Sequence, residues 1–337
     1  MAKWPHASCK LIVKYPHSLH MSGGRLPQIT WEGVVMKIRL AFGLSAALLF
    51  AGVIHAQQSG QDQPAGDLVP PTSASDFTAG QLDTVLAGSW RSAPNKARDV
   101  YRHPKETLQF FGLQPDKTVI EITPGSGWYS EILAPLLRDN GHYIAAVVDN
   151  NAEAKQDTAA LRAKFAADPA EYSKATIATF NPQVPVLGPA GSADMVLTFR
   201  NVHNWTQAGT AQAMFKAFYA VLKTGGTLGV VDHRAADGAT LDSVKGSGYL
   251  PTAYVIKLAT DAGFKLDGQS DINANPKDTK DYPKGVWTLP PTLTLGDQDR
   301  AKYLAIGESD RMTLRFVKNG VDKKPASMPA SSGSAAK

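Results

Sequence analysis

The sequence predicts an α/β fold, a doubly wound sheet of seven strands that is mostly parallel and has an antiparallel last strand. Short apolar runs alternate with helical stretches over residues 118–266, a pattern typical of parallel strands joined by right-handed crossovers. The first run, Thr118-Val-Ile-Glu-Ile122, ends in the glycine turn Pro124-Gly-Ser-Gly127, and a helical pattern follows it. Residues 311–317 alternate between apolar and polar side chains, which predicts the antiparallel strand.

The elements are predicted in chain order from their periodicity and from the residues that interrupt it. Residues 97–112 predict two helices, broken at Pro104 and stopped at Gly112. The helix after the glycine turn contains Pro135, which we expect to kink or shorten it. The loop-rich segment 271–309, together with Tyr249 and Trp287, is a candidate substrate lid. The remaining predictions are strands over 118–123, 143–148, 176–180, 195–199, 227–231 and 264–266, and helices over 152–167, 212–222 and 254–262.

The 337 residues are predicted to hold one folded domain, residues 81–319, between two segments that have nothing to bury. Residues 57–80 are polar and contain proline, and residues 320–337 are rich in alanine, serine and proline. We therefore expect a disordered linker before the domain and a disordered tail after it.

Residues 36–56 match a cleavable signal peptide. Met36-Lys-Ile-Arg39 is a basic start, an apolar run follows over 40–54, and Ala56 is a small residue at the expected cleavage site. The run is short and ends abruptly in polar residues, so we expect no stable membrane span after cleavage. We predict an exported protein, periplasmic or secreted, whose translation starts at Met36, with residues 1–35 as a non-native N-terminal extension.

The net charge of +5 comes from the N-terminal segment. Residues 1–56 contain six of the 35 Lys and Arg residues and one of the 30 acidic residues, so the rest of the chain is neutral. We therefore expect no nucleic-acid partner. The only cysteine, Cys9, lies in the same segment, which excludes disulfides and thiolate sites from the predicted domain. The sequence leaves the oligomeric state open.

The glycine turn predicts a ligand site. Gly125 and Gly127 let backbone N–H groups approach a ligand that a Cβ would exclude, next to the N-terminus of the following helix. Glu121 is an acid within an apolar strand, where desolvation is costly unless the carboxylate is paired. The alternative is a tight turn between strand and helix, with Glu121 paired to a neighbour.

Asp149 stands at the end of the second predicted strand, 22 residues after Gly127. A carboxylate at this place can accept hydrogen bonds from ribose hydroxyls. Because Asn150 and Asn151 follow, the alternative is that Asp149 caps the next helix. Ser130 stands where the dinucleotide pattern has its third glycine, which disfavours an NAD-dependent oxidoreductase.

Glu121-Ile-Thr-Pro-Gly125-Ser-Gly127 resembles motif I of the class I S-adenosylmethionine-dependent methyltransferases, Glu/Asp-x-Gly-x-Gly-x-Gly. The resemblance covers roughly residues 90–318 and extends to Asp149, to the fourth-strand segment 192–205 and to Leu222-Lys-Thr-Gly-Gly226. Tyr101-Arg-His-Pro104 and Val231-Asp-His-Arg234 look, more narrowly, like a group of exported bacterial proteins assigned as methyltransferases. The resemblance implies a Rossmann-like fold, S-adenosylmethionine as the cofactor and methyl transfer to an acceptor.

Two positions depart from the family pattern. Thr123 replaces the first glycine of the motif, which narrows the space for backbone approach. Phe180-Asn181-Pro182 stands where the family has an acid after strand three, so Asn181 is the candidate contact to the adenine. The cofactor-binding residues that the resemblance implies are Glu121, Gly125, Gly127, Asp149 and Asn181.

Polar and aromatic residues follow strands four and five, at the edge where a doubly wound sheet binds its ligand. His203 and His233 are candidate catalytic bases, since imidazole titrates near neutral pH, although each could instead only hold a loop. Their spacing does not indicate a metal site, and none is expected. Trp128 and Trp205 could form an aromatic wall for a sulfonium cation or could be packing. The candidate substrate residues are Trp128, Arg200, Trp205, Asp232 and Arg234, with a structural Asp232–Arg234 pair as the alternative.

The predicted function is an exported S-adenosylmethionine-dependent methyltransferase with a small-molecule acceptor that the sequence does not identify. The alternative is a non-catalytic periplasmic binding protein that keeps the fold for another ligand. Attack on a sulfonium methyl group mainly needs in-line positioning, so the lack of a general base would not exclude the enzyme.

Overall fold

The computed structural model of the protein describes residues 74–320. The strands β1 to β7 are Thr118–Ile122, His142–Val147, Thr176–Thr179, Ala193–Phe199, Leu222–His233, Phe264–Ser270 and Arg311–Lys318. They form one sheet in the order β3-β2-β1-β4-β5-β7-β6. β7 is antiparallel to both of its neighbours, and every other neighbouring pair is parallel. The predicted fold class, a Rossmann-like doubly wound sheet with an antiparallel last strand, is confirmed.

Helices cover both faces of this sheet. The helices α1 to α11 are Ala74–Ala87, Ala93–Lys96, Asp99–Arg102, Pro104–Phe110, Ser130–Leu137, Ala152–Ala167, Pro169–Tyr172, Val202–Gln207, Ala211–Val221, Thr252–Ala262 and Arg300–Ile306, and a 3-10 turn spans Gly285–Thr288. Side chains alternate between the two faces along each strand. Ile120 and Val196 pack in one apolar cluster with α9 and α10, whereas Val119 and Leu197 pack in a second cluster with α1 and α5.

The folded domain begins earlier than the predicted boundary at residue 81. Helix α1 starts at Ala74, inside the segment 57–80 that composition predicts to be a disordered linker. Leu82 and Val85 of this helix are buried in the second apolar cluster. The first turn of α1, Ala-Ser-Asp-Phe, continues the small and polar composition before it, and this hides the start of the helix.

Strand β5 is longer than the predicted 227–231 and starts directly after α9. Thr224-Gly-Gly226, a sequence that strand interiors disfavour, therefore lies inside this strand. Gly226 has no room for a side chain, since a Cβ there would lie 2.8 Å from the Lys223 carbonyl oxygen. The register with β4 shifts at this point, between Ala193 and Met195. These glycines permit an irregular start of β5.

Several predictions concern residues outside 74–320. The signal peptide at 36–56 with its cleavage near Ala56, the extension 1–35, residues 57–73 of the linker and the tail after residue 320 all lie there. They stay predictions. Within residues 74–320, no helix combines the length and the hydropathy that a membrane crossing requires.

Candidate functional site

The carboxyl ends of β1 and β4 meet at the switch point of the sheet, and each strand is followed by a strained residue. The Thr123 N–H donates to the Ala146 carbonyl (2.7 Å), and the Arg200 N–H donates to the Val231 carbonyl (2.7 Å). The φ angle is +49° at Thr123 and +62° at Arg200. Left-handed backbone costs a non-glycine residue about 1–2 kcal/mol. Such strain is concentrated at functional sites, which marks this edge as a candidate.

The two glycines of the turn have different surroundings. The φ angle is +59° at Gly125 and +80° at Gly127, a region that favours glycine. A Cβ at Gly125 would meet open space, whereas a Cβ at Gly127 would lie 2.8 Å from Leu161 Cδ1. Gly125 lines a cavity of about 50 Å³ together with Thr123 and Val147. Gly125 therefore keeps the turn open toward this cavity, and Gly127 lets α6 pack closely.

Glu121 belongs to β1, which precedes the turn, and does not line this cavity. Its buried carboxylate accepts hydrogen bonds from Tyr143 Oη (2.5 Å) and Ser130 Oγ (3.3 Å). Burial raises the pKa of Glu121 to about 7, although both hydrogen bonds oppose the shift. Because Ser130 is the first residue of α5, Glu121 connects β1 to that helix. The geometry matches the alternative of a paired acid that fixes the turn, rather than a direct ligand contact.

Asp149 and Asn181 are exposed at the carboxyl ends of β2 and β3. Asn151, and not Asp149, caps α6, because its Oδ1 accepts from the Ala154 N–H (2.9 Å). The Asp149 carboxylate has no hydrogen-bond partner within residues 74–320, so it is available to a ligand. Asn181 Oδ1 accepts from the Gln183 N–H (2.9 Å), which leaves its NH₂ group as a donor.

These residues fit a nucleoside cofactor that lies along the open edge of the sheet. The Asp149 carboxylate suits ribose hydroxyls. Thr123 Oγ1 is buried and, in the described part of the chain, has no hydrogen-bond partner, so a polar ligand group beside the turn would satisfy it. The cavity of about 50 Å³ is small for a ligand site, since typical ligand pockets measure roughly 300–1,000 Å³. A nucleoside would therefore extend beyond this cavity, across the exposed edge toward Asp149 and Asn181.

Trp128 and Trp205 belong to opposite faces of the sheet and do not form one aromatic wall. Trp128 is buried in the second cluster, where Nε1 donates to the Asn95 carbonyl (3.0 Å) and the Arg102 guanidinium lies 4.5 Å from the ring centroid. Trp205 is buried in the first cluster, 5.6 Å from Phe218 between ring centroids. The predicted shared wall is wrong, because the two side chains enter different cores. Packing accounts for Trp205.

His203 and Asp232 form a buried hydrogen-bonded pair. His203 lies in α8, directly after β4, and Asp232 lies near the end of β5, so the two predicted clusters meet here. His203 Nδ1 lies 2.9 Å from Asp232 Oδ1. A carboxylate only accepts hydrogen bonds, so Nδ1 carries the proton in this pair, and in the neutral ring Nε2 is then the acceptor. Within residues 74–320, Nε2 has no hydrogen-bond partner. This is the arrangement of a general base with an orienting carboxylate.

His233 lies beside this pair, with its ring centroid 5.1 Å from that of His203. Its Nδ1 lies 2.5 Å from Ser309 Oγ. Burial, and after it the neighbouring His203 and Arg200, lowers the pKa of His233 well below its usual range. His233 is therefore neutral at pH 7. Both predicted catalytic histidines thus lie together, but only His203 has a carboxylate partner.

Ligand atoms of His203, Asp232 and His233 lie within 4.8 Å of one another. Two features oppose a cation at this place. Asp232 already accepts hydrogen bonds from three backbone N–H groups as well as from His203. Positive charge also surrounds the site, since Arg200 and Arg311 both lower the pKa of His233. The expectation that the protein has no metal stays a prediction.

Arg234 forms its ion pairs with residues other than Asp232. Its guanidinium contacts Asp310 (2.8 Å) and Asp271 (2.6 Å), and the hydrogen bond to Asp310 is the largest cause of its raised pKa. The structural Asp232–Arg234 pair considered from the sequence is therefore wrong. Arg234 also lines neither of the two cavities that His203 lines. Arg234 instead connects the segment that follows β6 to the end of β5.

Two cavities meet at His203. The larger measures about 470 Å³ and is also lined by Lys245, Tyr249 and Trp287. The smaller measures about 210 Å³ and is also lined by Trp287 and Arg200. Because Trp287 belongs to the segment 271–309, that segment forms part of the wall of both cavities. The position agrees with the expected substrate lid.

Sequence reasoning misses a group of arginines around a buried acid, Glu308. Arg98, Arg102 and Arg311 contact its carboxylate at 2.6 Å, 3.2 Å and 3.1 Å. Burial alone would raise the pKa of Glu308, but these guanidinium groups lower it to about 2. Arg102 and Glu308 are 206 positions apart, so no local pattern connects them. The only signal in the sequence is the resemblance of Tyr101-Arg-His-Pro104 to exported proteins.

No protein-family model and no curated protein sequence matches the chain. Among solved structures, it is similar to a SAM dependent methyltransferase from Aquifex aeolicus, at 13% identity and a TM-score of 0.46, over 71% of this chain and 98% of that one. It is also similar to the cyclase SpnF, at 14% identity and a TM-score of 0.48, over 72% of this chain and 94% of that one. For an arsenic(III) S-adenosylmethionine methyltransferase from Chlamydomonas reinhardtii, the identity is 15% and the TM-score 0.42, over 72% of this chain and 74% of that one. The strand order and the geometry of the site therefore carry the functional argument.

Proposed function

We propose that the protein is an S-adenosylmethionine-dependent methyltransferase that acts on a small-molecule acceptor. One observation carries this proposal: His203, oriented by Asp232 and with Nε2 unpaired, lies at the same sheet edge as the glycine turn and Asp149. The identity of the cofactor is supported by the resemblance of the segment 121–127 to the methyltransferase motif.

On the cofactor side, we assign direct contacts to Gly125, Asp149 and Asn181. Bound S-adenosylmethionine would supply an electrophilic methyl group on a sulfonium sulfur. Gly125 leaves space at the turn, Asp149 accepts from the ribose hydroxyls, and Asn181 donates its free NH₂ group toward the adenine. Glu121 and Gly127 support the turn through their contacts with α5 and α6.

On the acceptor side, His203 is the general base. Its Nε2 takes the proton that the nucleophilic atom of the acceptor gives up. Asp232 holds the ring in the required tautomer and stabilises the imidazolium that forms. His233 stays neutral and contacts Ser309, so it forms part of the cavity wall and adds no positive charge beside His203. Trp287 limits access of water from the outer side.

Calorimetric titration of the purified full chain with S-adenosylmethionine and S-adenosylhomocysteine tests this assignment, with NAD as the control ligand. We expect micromolar binding of both, about −8 kcal/mol, and no binding of NAD. A folded protein that binds neither compound would overturn the enzyme proposal in favour of a binding protein with another ligand.

The Asp149→Ala variant should lose S-adenosylhomocysteine binding by roughly tenfold or more, because a charged hydrogen-bond acceptor is removed. Its unfolding free energy should stay unchanged, since Asp149 is exposed and Asn151 provides the helix cap. Asp116→Ala, at another exposed acid, is the matched control. Wild-type affinity in Asp149→Ala would show that the ribose contact is made elsewhere.

We also propose that the protein is exported to the periplasm or secreted. The support is the basic, apolar and small-residue sequence of residues 36–56. Expression from Met36 in bacteria, followed by fractionation and N-terminal sequencing, should yield a processed chain that starts at Gln57. An unprocessed chain in the cytoplasm would contradict this proposal.

A further inference from the structure

Arg200 lines the smaller of the two cavities. Within the described residues, its side chain makes no hydrogen bond and no ion pair. Burial lowers the pKa of Arg200 to about 10, although Glu308 and Asp232 oppose the shift, so the group is charged at pH 7. Arg200 is half-buried, so part of the residue remains accessible from the cavity. The φ angle of +62° adds backbone strain at this residue, directly after β4.

The arginines behind Arg200 leave this region with a surplus of positive charge. Arg98, Arg102 and Arg311 share one carboxylate, Glu308. Their donors exceed what that carboxylate accepts. Buried N–H groups without an acceptor in residues 74–320 remain on the Nη2 atoms of Arg98 and Arg102 and on Nε of Arg311. Glu308 itself lines the cavity, so the group lies directly behind its wall.

We propose that the cavity beside Arg200 binds the anionic group, a carboxylate or a phosphate, of a small acceptor. The guanidinium fork pairs with either group through two parallel hydrogen bonds. The description of this ligand as an acceptor rests on the proposed methyltransferase function, whereas anion binding in the cavity does not.

The dimensions of the site suit an acceptor that spans both cavities. About 210 Å³ beside Arg200 accommodates the anionic group, and about 470 Å³ on the other side accommodates the rest of the molecule. His203 lines both cavities, so it would contact both parts of such a ligand. A nucleophilic atom near the anionic group would then be within reach of the base. A cationic or fully apolar acceptor would leave the charge of Arg200 unpaired.

The experiment measures the melting temperature of the full chain in inorganic phosphate and in acetate, at an ionic strength matched with chloride. We expect one of these anions to raise the melting temperature in a saturable manner. Stabilisation by phosphate and not acetate indicates a phosphorylated acceptor, and the reverse indicates a carboxylic acid. In Arg200→Gln the apparent affinity should fall by roughly tenfold or more. Arg162→Gln, at an exposed arginine outside the site, should behave like wild type.

Arg200→Lys provides a second variant that keeps the charge and loses the planar fork, and it should bind the anion more weakly than wild type. The proposal is overturned if neither anion stabilises the wild type, or if Arg200→Gln responds as the wild type does. Titration with S-adenosylhomocysteine in saturating anion separates this question from the cofactor. Competition between the two, with loss of S-adenosylhomocysteine binding in Arg200→Gln, would assign the arginine to the cofactor and overturn an acceptor site. If wild type binds the anion but not S-adenosylhomocysteine, the anion site stands and the methyltransferase proposal fails.

Discussion

At the scale of single residues, Glu121 is a carboxyl group whose hydrogen-bond partners are neutral. Tyr143 and Ser130 donate to it, and no Lys or Arg side chain within residues 74–320 forms an ion pair with it. Its pKa of about 7, against an ordinary value of 4.5, means that the folded protein holds a proton that the unfolded chain releases. Between these two pH values the stability therefore falls as the pH rises, and above about pH 7 this contribution is constant.

Replacing Glu121 by Gln should remove this dependence, because the amide oxygen still accepts from Tyr143 and carries no charge. Relative to wild type, Glu121→Gln should gain up to about 3 kcal/mol of unfolding free energy between pH 4.5 and pH 7. Urea denaturation at several pH values measures the difference. Glu153→Gln, at an exposed acid, is the control. Parallel pH profiles for Glu121→Gln and wild type would show that folding does not raise the pKa of Glu121.

Residue types and their order in the sequence predict the individual side chains of the site only in part. His203, His233 and Asp232 follow two strands whose carboxyl ends are neighbours, and they lie together as the topology requires. The sequence does not predict the direction in which each side chain points. Glu121 faces α5 and Trp205 faces the core, because strand alternation and helix packing decide the orientation.

At the scale of elements, the two glycines of the turn between β1 and α5 have different roles, one in binding and one in packing. Gly125→Ala adds a methyl group to open space beside the cavity, so its stability cost is limited to the backbone strain of about 1–2 kcal/mol. Gly127→Ala incurs similar strain and also drives a Cβ into Leu161, which adds about 1–3 kcal/mol.

We expect opposite outcomes for these two variants. Gly127→Ala should be less stable than Gly125→Ala in urea denaturation, by about 1–3 kcal/mol. Gly125→Ala should weaken S-adenosylhomocysteine binding more than Gly127→Ala does, since its new methyl group would enter the open space beside the cavity that Gly125 lines. Each variant is the control for the other. Equal losses of both properties in both variants would mean that the turn acts as one unit.

The sequence predicts these elements well where periodicity and breakers agree. The helix predicted over 152–167 has those bounds, and the break predicted at Pro104 separates α3 from α4. It predicts them less well where glycine or polar residues occur inside a regular element. The early start of α1 and the glycine-containing start of β5 depend on tertiary contacts that local composition does not record.

At the scale of the whole molecule, Glu308 joins parts of the chain that are far apart in sequence. Arg98 and Arg102 belong to the helical segment before β1, whereas Arg311 begins β7. No pattern within a short window can reveal such a cluster. The predicted sheet nevertheless places its members correctly in outline, because the start of β7 lies beside the end of β5.

Glu308→Gln should destabilise the protein by about 3–5 kcal/mol, since it leaves the buried guanidinium groups of Arg102 and Arg311 without their carboxylate. The lowered pKa of Glu308 predicts the same loss in wild type at acidic pH. That contribution is present above pH 4.5 and disappears as the pH falls toward about 2. Chemical denaturation at neutral pH measures the effect, with the exposed Glu106→Gln as control. A loss no larger than that of the control would mean that solvent screens the cluster.

The position of β7 has a consequence for the order in which the molecule can assemble. β7 follows every other strand along the chain, yet in the sheet it lies between β5 and β6. During synthesis β6 therefore emerges before β7, the only strand within residues 74–320 to which it bonds, and β5 exposes an open edge until residues 311–318 arrive. Strand pairing between segments that are far apart in the sequence is slow. If the chain is exported as proposed, this delay would help to keep it unfolded during export, and the sheet would close only after the last strand has been exported.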